Sequence, residues 1–450
     1  MSLLGGRAAR SAAAAVVLAG LLTACGLDDD SPDERVIRVL MVDNPQMLEL
    51  EKLTARYFTK KTGIEVDFTP LPENEVRKHI YRDFANQSGR YDVATVSNYE
   101  TRTYADRGWL KPLDSYIARD RAFNQSDILL PLQLSLSGRD GKLYAEPFYG
   151  ESSFLMYRKD VFAQLGLKMP ADPTWQDVAE LAEKADRPET GMTGICLRGL
   201  PGWGEMTAPF TTVVNTFGGT WFDERWNARL TSPGFREAAE FYVGLVRRYG
   251  EPDASRTGYA DCLSNMKRGK SAMWYDATAG AGSLEADTSP VKGKMGYVPA
   301  PVEKTRSSGW LYTWAWGIQK SSEKSDDAWK FISWASSKEY EALVGREFGW
   351  ANVPAGKRRS TFDRPEYKKA AGAFDEETEK AISNADPRDP GVQERPAPGI
   401  QFVGVPEFTT LGDKVSEELS AAIAGEQSVG AALRKGQREA EKVGAEYRKR

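Results

Sequence analysis

The side chains best placed to do chemistry in this sequence gather in a few short stretches. Glu151 follows Phe148 and Tyr149, Arg198 follows Cys196 and Leu197, and Trp203 and Glu205 lie in a Pro-Gly-Trp-Gly-Glu run. Trp274, Tyr275 and Asp276 are consecutive, and Trp310, Tyr312, Trp314 and Trp316 alternate along one stretch. This set suits the recognition of hydroxyl groups. A flat ring packs against the C–H face of a carbohydrate or polyol, carboxylates accept hydrogen bonds from its hydroxyls, and arginine donates to them. Core packing is the competing role for each of the twelve tryptophans. Packing is expected for Trp226, Trp329 and Trp334, on anticipated helices, and for Trp175 at a helix start. For Trp203, Trp274 and Trp310, beside glycines and polar residues, ligand contact and packing both stand. Glu205 is the weaker of the acidic candidates.

Other chemistries are poorly supplied. One histidine and three cysteines cannot build a multi-histidine zinc site and make a structural zinc cluster an unfavoured reading, so no metal is expected. A Ser-His-Asp triad would have to use His79, which sits among Glu73, Arg77 and Lys78 and reads as a surface residue. There is no G-x-x-x-x-G-K-[ST] phosphate loop, no dinucleotide fingerprint and no G-x-S-x-G elbow, so no cofactor and no catalytic residue is assigned. Carboxylates are plentiful, and a glycoside hydrolase needs only two. A lipid-anchored surface glycoside hydrolase therefore stands as the alternative reading. With 60 basic against 64 acidic side chains there is no basic excess to hold nucleic acid. A chain of 450 residues, 41% hydrophobic and 28% charged, is that of a folded protein with room for two or three compact units.

The amino terminus sets the compartment. Arg7 and Arg10 precede an apolar, alanine-rich run over 11–22, too short to span a bilayer as a stable helix. The sequence Leu22-Thr23-Ala24-Cys25-Gly26 follows and resembles the bacterial lipobox, in which the cysteine is lipidated and becomes the first residue. Residues 1–24 are read as a lipoprotein signal peptide and the acidic stretch 25–34 as a solvated tether. This places the protein on the extracellular face of the cytoplasmic membrane, held by the lipid on Cys25. Cys196 and Cys262 are able to pair in an oxidising compartment, but the sequence does not decide whether they do.

Alternating strands and helices must carry these side chains. Residues 36–40 form an apolar strand, and Met47, Leu50, Leu53 and Tyr57 recur at helical spacing up to Gly63. Ile64, Val66 and Phe68 alternate as a strand, a helix covers about 73–86, and a third strand covers 91–96. This order predicts a parallel, doubly wound sheet, with ligand beyond the carboxyl ends of its strands, where Tyr99 and Glu100 lie. A second α/β unit follows. It has strands at 153–157 and 194–197 around a helix at 175–184, a long helix at 233–248 and a strand at 271–275. Asp276 and Thr278 are placed to cap the next helix. A further strand at 317–318 leads into a helix at 325–335. Residues 385–404 read as an irregular connection, and 411–449 as two helices broken near Gly425.

Taken in order, several stretches resemble the extracellular solute-binding proteins of ATP-driven sugar importers, and within them the sorbitol/mannitol (polyol) binding family. They are Pro147-Phe148-Tyr149-Gly150-Glu151-Ser152-Ser153, Cys196-Leu197-Arg198-Gly199-Leu200-Pro201-Gly202-Trp203-Gly204-Glu205, Gly269-Lys270-Ser271-Ala272-Met273-Trp274-Tyr275-Asp276 and Gln401-Phe402-Val403-Gly404-Val405-Pro406. The resemblance implies a two-lobed, periplasmic-binding-protein-like (type II) α/β fold, with hinge strands and a ligand cleft between the lobes. Residues 35–148 and 314–352 would form the N-terminal lobe, and 149–313 and 353–450 the C-terminal lobe. Ligand contacts are then expected from Tyr99, Glu100, Glu151, Arg198, Trp203, Trp274, Asp276 and Trp310, with Trp274 as the stacking tryptophan. The implied partners are a small neutral polyol or sugar and the permease subunits of an ABC importer, and the implied protein is a monomer.

Overall fold

The computed structural model describes residues 35–449, so the signal peptide, the lipidated Cys25 and the tether expected from the sequence lie outside the described residues. Eight strands form two sheets: β1 (Val36–Val42), β2 (Glu65–Leu71), β3 (Val93–Ser97), β4 (Glu146–Glu151), β5 (Ser153–Arg158), β6 (Met273–Ala277), β7 (Met295–Pro299) and β8 (Tyr312–Ile318). The larger sheet has the order β2-β1-β3-β8-β4 and the smaller β6-β5-β7. The parallel core of the larger sheet is as expected, since β1 pairs in parallel with both β2 and β3. The whole sheet is mixed, however, because β8 runs antiparallel to β3 and β4. The reason is topological. After β4 the chain passes through Ser152 alone into β5 of the other sheet, and it returns as β8 from that side.

Local signals account for several helix boundaries. The helix Pro45–Leu53 starts with Asn44 accepting from the Met47 amide and with proline in its first turn. Its continuation through Tyr57 is a wider π turn over Thr54–Thr59, ending at Gly63 in the left-handed conformation. The helix Glu73–Asn86 opens with Glu73 and Glu75 at its positive end and buries Val76, Ile80 and Phe84. Reciprocal capping boxes start the helices Asn98–Asp106 (Ser97 with Glu100) and Trp175–Ala185 (Thr174 with Asp177). The carboxyl-terminal helices Phe408–Ile423 and Val429–Tyr447 are separated at Gly425, whose φ is +82°.

Three local expectations are corrected. Residues 194–197 form no regular strand; one isolated parallel bridge, Cys196 with Trp274, joins them to β6, and Thr193 bridges Ser271 just ahead of it. Trp226 lies in a turn with φ +61°, closed by Asp223, and stacks on Tyr447 at 4.1 Å. Asp276 is not a helix cap. It lies inside β6, and the next helix, Gly280–Glu285, begins after Ala279. Trp329 and Trp334 do sit on the helix Ser325–Ala335, packed against Phe123 and Phe58 respectively. Cys196 and Cys262 are joined in a disulfide with their Cα atoms 5.6 Å apart. It fastens the segment leading to Arg198 onto the helix Tyr259–Lys267.

Candidate ligand-binding site

A cavity of about 930 Å³ opens between the two sheets. On the side of the larger sheet it is walled by Asp43, Asn44 and Glu73, just past the carboxyl ends of β1 and β2, the position where open α/β sheets hold ligand. On the other side stand Arg198, Glu205 and Tyr259. Tyr149 and Glu151 of β4, and Trp310, Tyr312 and Trp314 in and beside β8, line it from the two strands of the larger sheet that lead to and from the smaller one.

Arg198 is held from behind. Its Nε donates to Asp276 Oδ2 at 2.8 Å and its Nη2 to Oδ1 of the same carboxylate, a two-pronged pair with strong directional preference. Nη1 donates to the Gly204 carbonyl at 3.1 Å and lies 3.5 Å from Glu205. Asp276 also accepts from Trp274 Nε1 at 3.0 Å and from the Ala277 amide. The guanidinium faces the Tyr259 ring at 5.1 Å, and that ring packs on Trp274. Burial works against the charge on Arg198, but Asp276 and Glu205 outweigh it and hold the side chain protonated.

Glu151 is different. It is 7% exposed and lines the cavity, and no hydrogen bond to its carboxyl group is formed by any described residue. Burial pushes it up to about 8, Asp276 and Glu73 push the same way, and Arg198 opposes them. Burial likewise pushes Glu205 up to about 7, although it accepts from the Tyr259 amide at 3.1 Å. An acidic group with buried, unused hydrogen-bonding capacity in an open cavity is poised to meet a ligand's donor groups.

A second assembly links the two sides. Arg77 donates to Glu73 and, at 3.0 Å, to Glu100, and its guanidinium lies between the rings of Trp203 (4.0 Å) and Trp314 (4.8 Å). Glu100 also accepts from Ser97 and Tyr104, so its oxygens are engaged within the protein. The Tyr99 hydroxyl donates to the Val405 carbonyl at 2.6 Å, and its ring packs on Trp203 and Phe402. Asn74 donates to the Pro201 carbonyl at 3.0 Å.

Of the residues singled out from the sequence, Glu151, Arg198 and Trp310 line the main cavity, as does Glu205. Trp274 and Asp276 are fully buried one layer behind it, where they orient Arg198. Glu100 and Trp203 border a separate cavity of about 410 Å³, and Tyr99 borders neither. Sequence reasoning passed over Tyr259, which carries no local signal. It also passed over Asn44 and Glu73, which the strand-end rule could have found had it been applied to β1 and β2 as well as β3. Among the described residues no cluster of three or more His, Cys, Asp or Glu side chains is placed to hold a metal ion, and no helix is long and apolar enough to cross a membrane.

Comparison with known proteins agrees with this architecture. The chain is 39% identical over 400 residues to the mannitol-binding protein of Pseudomonas aeruginosa, covering 88% of this chain and 90% of that one. It is 26% identical over 342 residues to an erythritol/L-threitol-binding protein of Mycolicibacterium smegmatis, covering 70% and 69% of the two chains. The crystal structure of an ABC transporter solute-binding protein from Agrobacterium vitis S4 with bound D-mannitol superposes with a TM-score of 0.89 at 39% identity, over 92% of this chain and 99% of that one. Residues 44–342 match the sequence profile of the bacterial extracellular solute-binding proteins. With its two-sheet α/β periplasmic-binding-protein fold and a cavity between the sheets, the chain belongs to the bacterial extracellular solute-binding protein family, whose members bind and do not catalyse.

Proposed function

We propose that this protein captures a linear five- or six-carbon polyol, mannitol foremost, outside the cytoplasm and delivers it to the membrane permease of an ABC importer. The observation that carries the reading is the unpartnered, buried Glu151 carboxyl beside Arg198 in a cavity edged by the Tyr259 and Trp310 rings. Vicinal hydroxyls supply the donors Glu151 lacks and acceptors for Arg198. The relatives named for mannitol and for erythritol or threitol support the same ligand class.

The division into lobes belongs to the same proposal: 35–148 with 314–352, and 149–313 with 353–450. Lys357 and Arg358 make contacts that draw the segment around them toward the first lobe. Lys357 donates to the Glu341 carboxylate, and Arg358 donates to the carbonyls of Ser336 and Phe123. Ligand touching both walls favours the closed arrangement, and the contacts of Arg77 with Trp203 and of Asn74 with Pro201 are then made on closure. Lipidation at Cys25 would hold the protein at the membrane beside its permease.

The test is a thermal-shift screen over D-mannitol, D-sorbitol, ribitol, hexoses and disaccharides, followed by calorimetry. Hexitols or pentitols should raise the melting temperature most. The absence of any shift with them, or a larger one with a disaccharide, defeats the ligand assignment.

A further inference from the structure

The cavity holds more acid than a neutral ligand requires. Its lining carries Asp43, Glu73, Glu151, Glu205 and Asp261, with Asp276 just behind the wall, set against Arg198 on the inner wall; Arg77 lies at the neighbouring cavity. Arg198 is already committed to Asp276 and Glu205, and Arg77 to Glu73 and Glu100. Lys267 and Arg268 also border the cavity, but Lys267 is half-buried and Arg268 exposed, where solvent screens them. Glu151, 7% exposed, is therefore left without a hydrogen-bonding or ion-paired partner among the described residues, and Arg198, the cation it faces, is already paired with Asp276 and Glu205. Its ionised form is disfavoured until a cation arrives, in keeping with the upward displacement described above.

A polyol hydroxyl gives Glu151 a hydrogen bond but no charge. A terminal ammonium on the same carbon chain gives both, with three donors in place of one and with a C–N bond close in length to C–O. A terminal carboxylate would face Glu151, Glu205 and Glu73 and would find Arg198 already taken.

We infer that the same site accepts protonated 1-amino-1-deoxyhexitols as a second ligand class, the ammonium seated at Glu151, and excludes hexonates. The inference rests on the polyol reading, and the experiment separates the two. Binding of D-mannitol, 1-amino-1-deoxy-D-mannitol and D-mannonate is measured by calorimetry at pH 7 on the wild-type protein and on Glu151→Gln. In the wild type the aminohexitol should bind within tenfold of mannitol, and mannonate at least a hundredfold more weakly. In Glu151→Gln the aminohexitol should lose at least tenfold relative to mannitol.

Mannitol binding without aminohexitol binding, or mannonate binding as well as mannitol, overturns this inference and leaves the polyol reading intact. An equal loss of both ligands in Glu151→Gln overturns the seating of the ammonium. Aminohexitol binding without mannitol binding supports the charge argument and defeats the polyol reading, and binding of neither defeats both. Should Glu151→Gln fold poorly, the wild-type comparison of aminohexitol with mannonate decides.

Discussion

Asp276→Asn is the most informative single change. The side chain is wholly buried, and it anchors Arg198 through two parallel hydrogen bonds while accepting from Trp274 and the Ala277 amide. Asparagine keeps the volume but removes the charge and turns an amide NH₂ toward donors. Arg198 would be left buried with Glu205, 3.5 Å away, as its remaining close carboxylate. Breaking a buried pair from one side costs about 3–5 kcal/mol. Arg198 would also swing toward Glu205. If a ligand hydroxyl depends on it, the lost charge-assisted hydrogen bond is worth about 1.5–3 kcal/mol, roughly a ten- to hundredfold rise in Kd.

Urea denaturation without ligand gives the first quantity, and calorimetry with D-mannitol, at a temperature where the variant is folded, gives the second. Adding Arg198→Met to Asp276→Asn removes the stranded guanidinium. Stability should then recover by about 1–3 kcal/mol while binding stays lost. If Asp276→Asn is destabilised but its Kd stays within about twofold of wild type, Arg198 does not serve the ligand and the site is wrongly drawn.

Three further expectations follow from the same geometry. Replacing Cys196 and Cys262 by alanine opens a loop of 66-residue separation, and chain entropy places the loss near roughly 4 kcal/mol, read as a lowered urea midpoint that reductant reproduces in the wild type. Trp274→Ala should act mainly on stability, by about 3–5 kcal/mol for a fully buried large ring, and a variant of wild-type stability would contradict its placement behind the cavity wall. The third concerns pH. Glu151, facing Arg198, Asp276 and Glu73, and Glu205, facing Arg198, Glu73 and Asp276, are pushed up to about 8 and about 7 from 4.5. The folded state therefore holds protons that the unfolded chain has released. The stability these groups contribute is complete below their unfolded values and drains away as pH rises through the folded ones. The ligand-free melting temperature should fall from pH 5 to 8, and Glu151→Gln should flatten that fall; a rising profile would refute the assignment.

Much of the architecture was legible because its signals are short-ranged. The apolar strand at 36–40, the helices at 73–86 and 325–335 and the break at Gly425 each follow from periodicity or capping within one or two turns, and the structure has them there. Where the reading failed, the missing information was not local. Residues 194–197 look like a strand but find only one isolated bridge, because β6 takes β5 as its regular partner. Trp226 looks helical but is captured in a turn by Asp223 and by Tyr447, far along the chain.

The sequence by itself determined the first three strands and the helices between them, the clusters of aromatic and charged residues beside glycines, and the family they signal. The tertiary structure alone decided which of those residues meet the cavity. Trp274 and Asp276 lie two apart on β6 and so share a face. Arg198, which packs on that face 78 residues away in sequence, comes between them and the open space. It also decided the pairing of Cys196 with Cys262 and the isolation of Glu151. Whether a buried carboxyl is satisfied depends on what distant segments bring within about 3 Å of it, and no periodicity along the chain encodes that.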